Sequence, residues 1–121
     1  VFMTVLAFAL AGALVAFAEL KLPEQVDLSV YAKKRPVAEF GHNKHVEEFK
    51  LDCKTCHHKM KEGDTSVKKC SAEGCHGPRK VGKTPSLQSA FHKNCKTCHK
   101  KEQAAGKKGA PTKCKECHVK K

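Results

Sequence analysis

Tryptophan is absent from the 121 residues and tyrosine occurs once. Beyond residue 18 there are few runs of Leu, Ile or Val. A chain of this size normally buries one core of aliphatic and aromatic side chains, and residues 19–121 do not carry one. Something else must fill the interior. Aromatics are too scarce to interleave with the 24 Lys and Arg, which argues against a base-stacking, nucleic-acid-binding surface. Methionine is scarce as well: of the two present, only Met60 lies beyond residue 18.

Charge is missing in one place only. Residues 1–18, VFMTVLAFALAGALVAFA, contain no charged side chain and end in Ala16-Phe17-Ala18, the small-x-small pattern that signal peptidase accepts. The segment reads as a secretory signal cleaved before Glu19. The alternative is an uncleaved membrane anchor, because 18 helical residues reach about 27 Å across a roughly 30 Å hydrocarbon core. Either way the remainder is exported, to a periplasmic location or to one anchored at the membrane. The net charge of +12 belongs wholly to that remainder, and a basic exported domain suits acidic protein partners rather than nucleic acid.

Residues 19–36, ELKLPEQVDLSVYAKKRP, mix charge with Pro23 and Pro36 and predict an extended arm, to which no site is assigned. Residues 37–121 form the second part. There, residues 37–40 alternate as one short strand, Gly41 breaks it, and residues 42–50 predict a helix of about two turns carrying His42 and His45 on one face. Ser86 caps a predicted helix within residues 85–101, with Leu87, Ala90 and Phe91 on one side. The rest reads as loops and short turns.

From Cys53 onward a small unit recurs: CKTCHH, CSAEGCHG, CKTCHK and CKECHV. In C-x-x-C-H the two thiols are close enough to add across both vinyl groups of one haem, and the histidine is held beneath the iron as its proximal ligand. Three units are regular: Cys53, Cys56 and His57; Cys95, Cys98 and His99; Cys114, Cys117 and His118. The remaining unit, Cys70, Cys75 and His76, has two extra residues between its thiols, and Gly74 eases the loop this requires. Zinc ribbons and disulfide frameworks also use paired cysteines, but neither needs a histidine after each second thiol. With 8 His in 121 residues, four such placements by chance occur on the order of once in 10^5.

Four proximal histidines leave four others, His42, His45, His58 and His92. The leftover number equals the number of sixth coordination positions, and Met60 alone competes, so four bis-His, low-spin, low-potential haem c groups are expected. His58 directly follows His57 and cannot share its iron, so it must reach a second haem. His42 and His45 likewise point to two different haems. The expected fold is a small multihaem cytochrome, mostly coil with short α-helices and a short β-hairpin or strand pair, wrapped around four covalently bound haems that replace the missing core.

The order of these residues resembles the tetrahaem cytochrome c3 family, the class III c-type cytochromes of sulfate-reducing and related anaerobic bacteria. The likeness rests on VAEF before His42-x-x-His45, the CKTCHH doublet, the C-x-x-x-x-C-H second unit and a histidine ahead of the third unit. The stretches SAFHKNCKTCHK and PTKCKECH are also similar to the related trihaem cytochromes, which lack the second haem; this chain has Cys70, Cys75 and His58 for it. The resemblance implies that His42 serves the Cys53/Cys56 haem, His58 the Cys70/Cys75 haem, His45 the Cys95/Cys98 haem and His92 the Cys114/Cys117 haem. It implies a periplasmic electron carrier in anaerobic, sulfate-type respiration, with no bond chemistry of its own, shuttling electrons between a periplasmic hydrogenase and membrane-bound cytochrome complexes. A small multihaem reductase of metal ions or oxyanions is the alternative. The family's lysine patch around its C-terminal haem corresponds to Lys107, Lys108, Lys113, Lys115, Lys120 and Lys121, with Lys33 and Lys34 on the arm expected to be remote from it.

Overall fold

A computed structural model describes residues 22–120. The expected signal or anchor, residues 1–18, lies outside the described residues. Among those described, no helix is long and apolar enough to cross a membrane.

The arm is stitched to the next segment of the chain. Strand β1 (Gln25–Val26) pairs antiparallel with β2 (Phe40–Gly41), in the register Gln25↔Gly41 and Val26↔Phe40. Val26 and Phe40 are good strand formers. Asp27 ends β1 by turning its carboxylate onto the Ser29 N–H at 2.7 Å and the Ser29 hydroxyl at 2.8 Å, and those bonds hold the Asp27 carboxyl below its ordinary range. Segment 27–39 loops out between the strands, so they form a pair rather than a tight hairpin. The expected strand over residues 37–40 is thus reduced to its last residue plus Gly41. The Asn43 N–H extends the tie by donating to Glu24 O at 3.3 Å.

After β2 the chain winds as expected, but with more residues per turn than an ordinary α-helix. Residues Lys44–Glu48 form a π-helical turn, closed by the Phe49 N–H donating five residues back to Lys44 O at 3.1 Å. Such turns concentrate at functional sites. Here the turn brings Phe49 edge-on to the His45 ring at 5.8 Å, while Phe40 lies 4.7 Å from its other side.

Helix α1 (Leu87–Ala104) starts where the sequence predicts, with the Ser86 hydroxyl accepting from the Ser89 N–H at 3.3 Å. It is the one long element among the described residues, and it runs past residue 101 to a glycine stop. Gly106 adopts φ +91, its N–H donates to Gln103 O, and the Lys107 N–H donates to Glu102 O at 2.9 Å. This is the paired backbone closure that a left-handed residue after a helix makes possible. Helix α2 (Cys114–Cys117) is a single turn whose leading Thr112 and Lys113 N–H groups both donate to the Glu116 carboxylate at 2.9 Å.

Among the described residues Leu87 is the only buried hydrophobic side chain, at 2% exposure. Phe49, Val81 and Val119 are each more than half exposed. The described residues do not supply their own core, in keeping with the composition.

Candidate cofactor sites

Each cysteine unit is shaped by one backbone bond. The His57 N–H donates to Cys53 O at 2.9 Å and the His118 N–H to Cys114 O at 2.8 Å, so one helical turn brings the first cysteine and the histidine together. The third unit lies inside α1, where the helix imposes the same relation. In the second unit the His76 N–H donates to Cys70 O at 2.9 Å although six residues separate them. The extra residues bulge out through the Cys75 N–H to Ala72 O bond and through Gly74 at φ +74. The irregular spacing therefore preserves the relation of first thiol to histidine.

No disulfide joins any of the eight cysteines. Burial, the largest influence in each case, pushes the Cys56, Cys70, Cys95 and Cys117 thiols up from their ordinary value. Cys95 is also raised by Cys56, Cys117, Cys70 and Cys98, so thiols from all four units share one region. Zinc requires four converging donors; among the described residues no three His, Cys, Asp or Glu side chains converge on a metal position.

The imidazoles instead meet in twos. Ring centres are 6.4 Å apart for His42 and His57, 5.9 Å for His58 and His76, 6.3 Å for His45 and His99, and 6.2 Å for His92 and His118. A single metal bonded at about 2 Å to each of two imidazoles needs their ring centres about 6 Å apart. Each pair joins one histidine that follows a cysteine pair to one that does not.

The ring protons are placed to suit. Nδ1 lies 3.1 Å from Pro23 O in His42, 2.8 Å from Gly41 O in His45, 2.9 Å from Pro85 O in His76, 2.6 Å from Pro111 O in His99 and 2.7 Å from Pro36 O in His118. A carbonyl only accepts, so each of these Nδ1 atoms carries the proton and each Nε2 keeps a lone pair for a metal. The residues present thus fit haem: thiols for its vinyl groups and paired imidazoles for its iron.

Two of those carbonyls, Pro23 and Pro36, belong to the arm, to which the sequence pattern assigns no site. These acceptors lie 19 and 82 residues from their histidines, so no local spacing announces them and the fold reveals the pairing. The arm also changes the charge map. Lys34 and Arg35 line a cavity of about 570 Å³ together with Lys115, His118 and Lys120. Lys34 is therefore not remote from the fourth unit, because the bond from His118 to Pro36 draws the arm across it.

Paired thiols closed by a histidine, with imidazoles opposed across units, define a multihaem c-type cytochrome, an electron-transport protein. A model of the Class III cytochrome C family matches residues 17–118, and the chain belongs to that family. It is 50% identical over 95 residues to cytochrome c3 of Maridesulfovibrio salexigens, an alignment covering 73% of this chain and 82% of that protein. Cytochrome c3 of Desulfovibrio desulfuricans is 45% identical over 93 residues, 72% and 81% of the two chains. The high-molecular-weight cytochrome c of Nitratidesulfovibrio vulgaris is 31% identical over 81 residues, 63% of this chain but 15% of that larger protein. Membership implies covalently bound haem c and an electron-carrier role.

Proposed function

We propose that the chain is a periplasmic, low-potential electron carrier with four bis-histidine haems c, exchanging electrons with an acidic donor such as a hydrogenase and with membrane-bound redox complexes. The observation that carries this reading is the set of four imidazole pairs, each spaced for one iron. Bound haem supplies reversible one-electron transfer at iron. The chain's own residues do the rest. The cysteines would anchor each group and each imidazole pair would hold its iron, leaving no position there for a substrate. The Nδ1–H bonds to carbonyls raise imidazole basicity, which favours ferric iron and lowers the potential.

Three short segments tie the sites into one cluster. His57 and His58 are adjacent and link the first site to the second. His42 and His45 link the first to the third. Helix α1 carries His92 and, two turns or about 10 Å further on, His99, and so links the fourth to the third. The basic groups Lys34, Arg35, Lys115 and Lys120 beside His118 supply the docking face for an acidic partner.

Mass spectrometry of the denatured protein, combined with the visible spectrum of the native one, tests the reading. Four haems per chain and entirely six-coordinate, low-spin iron are expected. Three haems would remove the Cys70/Cys75 site, and a five-coordinate, high-spin signal would favour a reductase instead.

A further inference from the structure

Proline accounts for 5 of the 121 residues, yet prolyl carbonyls hold four of the five imidazole Nδ1 atoms that rest on the backbone among the described residues: Pro23 with His42, Pro36 with His118, Pro85 with His76 and Pro111 with His99. The partners are 19, 82, 9 and 12 residues apart in sequence, so local chain geometry does not create them. The four histidines fall in four different ring pairs. Only Pro78 has no imidazole on its carbonyl among the described residues.

Proline suits this task for two reasons. Its ring locks φ near −65°, so one of the two torsions that orient its own carbonyl is fixed before folding. Lacking an N–H, it also keeps its segment out of helix and sheet interiors, where the carbonyl would be taken by a ladder. Flanking bonds hold three of these carbonyls still. Beside Pro23, Glu24 O accepts from the Asn43 N–H. After Pro85, Ser86 caps α1 and the Leu87 N–H donates to Gly77 O at 2.8 Å. On either side of Pro111, Ala110 O accepts from the Gln103 side chain at 2.7 Å and the Thr112 N–H is held by Glu116.

We propose that Pro23, Pro85, Pro111 and Pro36 are positioning residues, one for each of the first, second, third and fourth haem sites, each fixing the tautomer and plane of one axial imidazole. The proposal rests on the four-haem reading above. Each proline thereby acts on one iron through its ligand: a firmly held Nδ1–H bond makes the imidazole a better donor to ferric iron, and loosening it raises that site's potential.

The test uses full-length holoprotein with Pro23→Gly, Pro36→Gly, Pro85→Gly, Pro111→Gly and, as the control, Pro78→Gly. NMR-monitored redox titration reads each haem separately. Each of the first four variants should raise the potential most at its own site, by about 59 mV for every tenfold loss in preference for ferric iron, and Pro78→Gly should leave all four in place. Alanine, which tolerates the extended backbone better than glycine, should restore part of each shift. Should a glycine variant mature without its haem, the alanine variant carries the same readout. Unshifted potentials, or an equal shift of all four sites in every variant, overturn the proposal. Fewer than four haems in the unmutated protein would instead count against the four-haem reading, and the prolines of the remaining sites would still be decided by their own variants.

Discussion

His45 and His99 face one another with ring planes inclined by 23° across 6.3 Å. The rings of His92 and His118 stand at 82° across 6.2 Å, and the other two pairs are intermediate, at 52° and 61°. Aligned imidazoles donate into one of the two π-type iron orbitals and separate them in energy. Crossed imidazoles donate into both and leave them close together. The oxidised protein should therefore give one rhombic low-spin signal from the His45/His99 site and one strongly anisotropic signal from the His92/His118 site in frozen-solution electron paramagnetic resonance. Four identical signals would contradict the ring geometry.

His58 is bonded along the chain to His57 but faces His76 at 5.9 Å. His58→Met should raise the potential of the second site on the order of 0.1 V, within the ~0.8 V that axial ligands span. It should also disturb the first site through the adjacent His57. Resolved potentials identical to those of the unmutated protein would show that His58 is a surface histidine.

Gly74 sits at φ +74 in the bulge of the second unit with no atom near a would-be side chain. Gly74→Ala is therefore opposed by backbone strain alone, about 1–2 kcal/mol. The strain falls on the segment that returns Cys75 and His76 to Cys70, so a fraction of the chains should carry three haems, the second missing. A mass spectrum showing complete loading would mean that the bulge adapts.

The arm and the C-terminal turn meet at one basic face. Reversing Lys34 and Arg35 to Glu should slow association with an acidic redox partner about tenfold at low salt, as much as reversing Lys115 and Lys120. The same reversal at Lys80 and Lys83, in the loop before α1, should do less. The difference should close as salt rises from 0.1 M to 1 M and the Debye length falls from about 10 Å to about 3 Å. Equal slowing by all three pairs in stopped-flow measurements would mean that net charge alone steers the encounter.

What was legible in the sequence was whatever depends on neighbours along the chain. Covalent attachment needs two thiols and a histidine within one turn, so Cys53, Cys56 and His57 and their counterparts announce themselves by spacing. Ser86 marks the start of α1 because its hydroxyl reaches the N–H three residues on. The scarcity of apolar side chains foretold a fold with Leu87 as its only buried hydrophobic residue among those described. The end of α1 was harder to place, because the Gly106 closure outweighs the weak apolar pattern of the last turn. The π-helical turn after β2 was also hidden, because it accompanies the packing of Phe40 and Phe49 around His45.

By itself the sequence determined the attachment chemistry, the supply of one spare imidazole per unit and the basic charge, since each is a property of residue identity and short-range spacing. Only the tertiary structure decided where the arm lies and which carbonyls receive the ring protons. His118 and Pro36 are 82 residues apart, so no short-range spacing links the ring to its carbonyl. Which histidine a given prolyl carbonyl meets is a choice made by the folded chain alone.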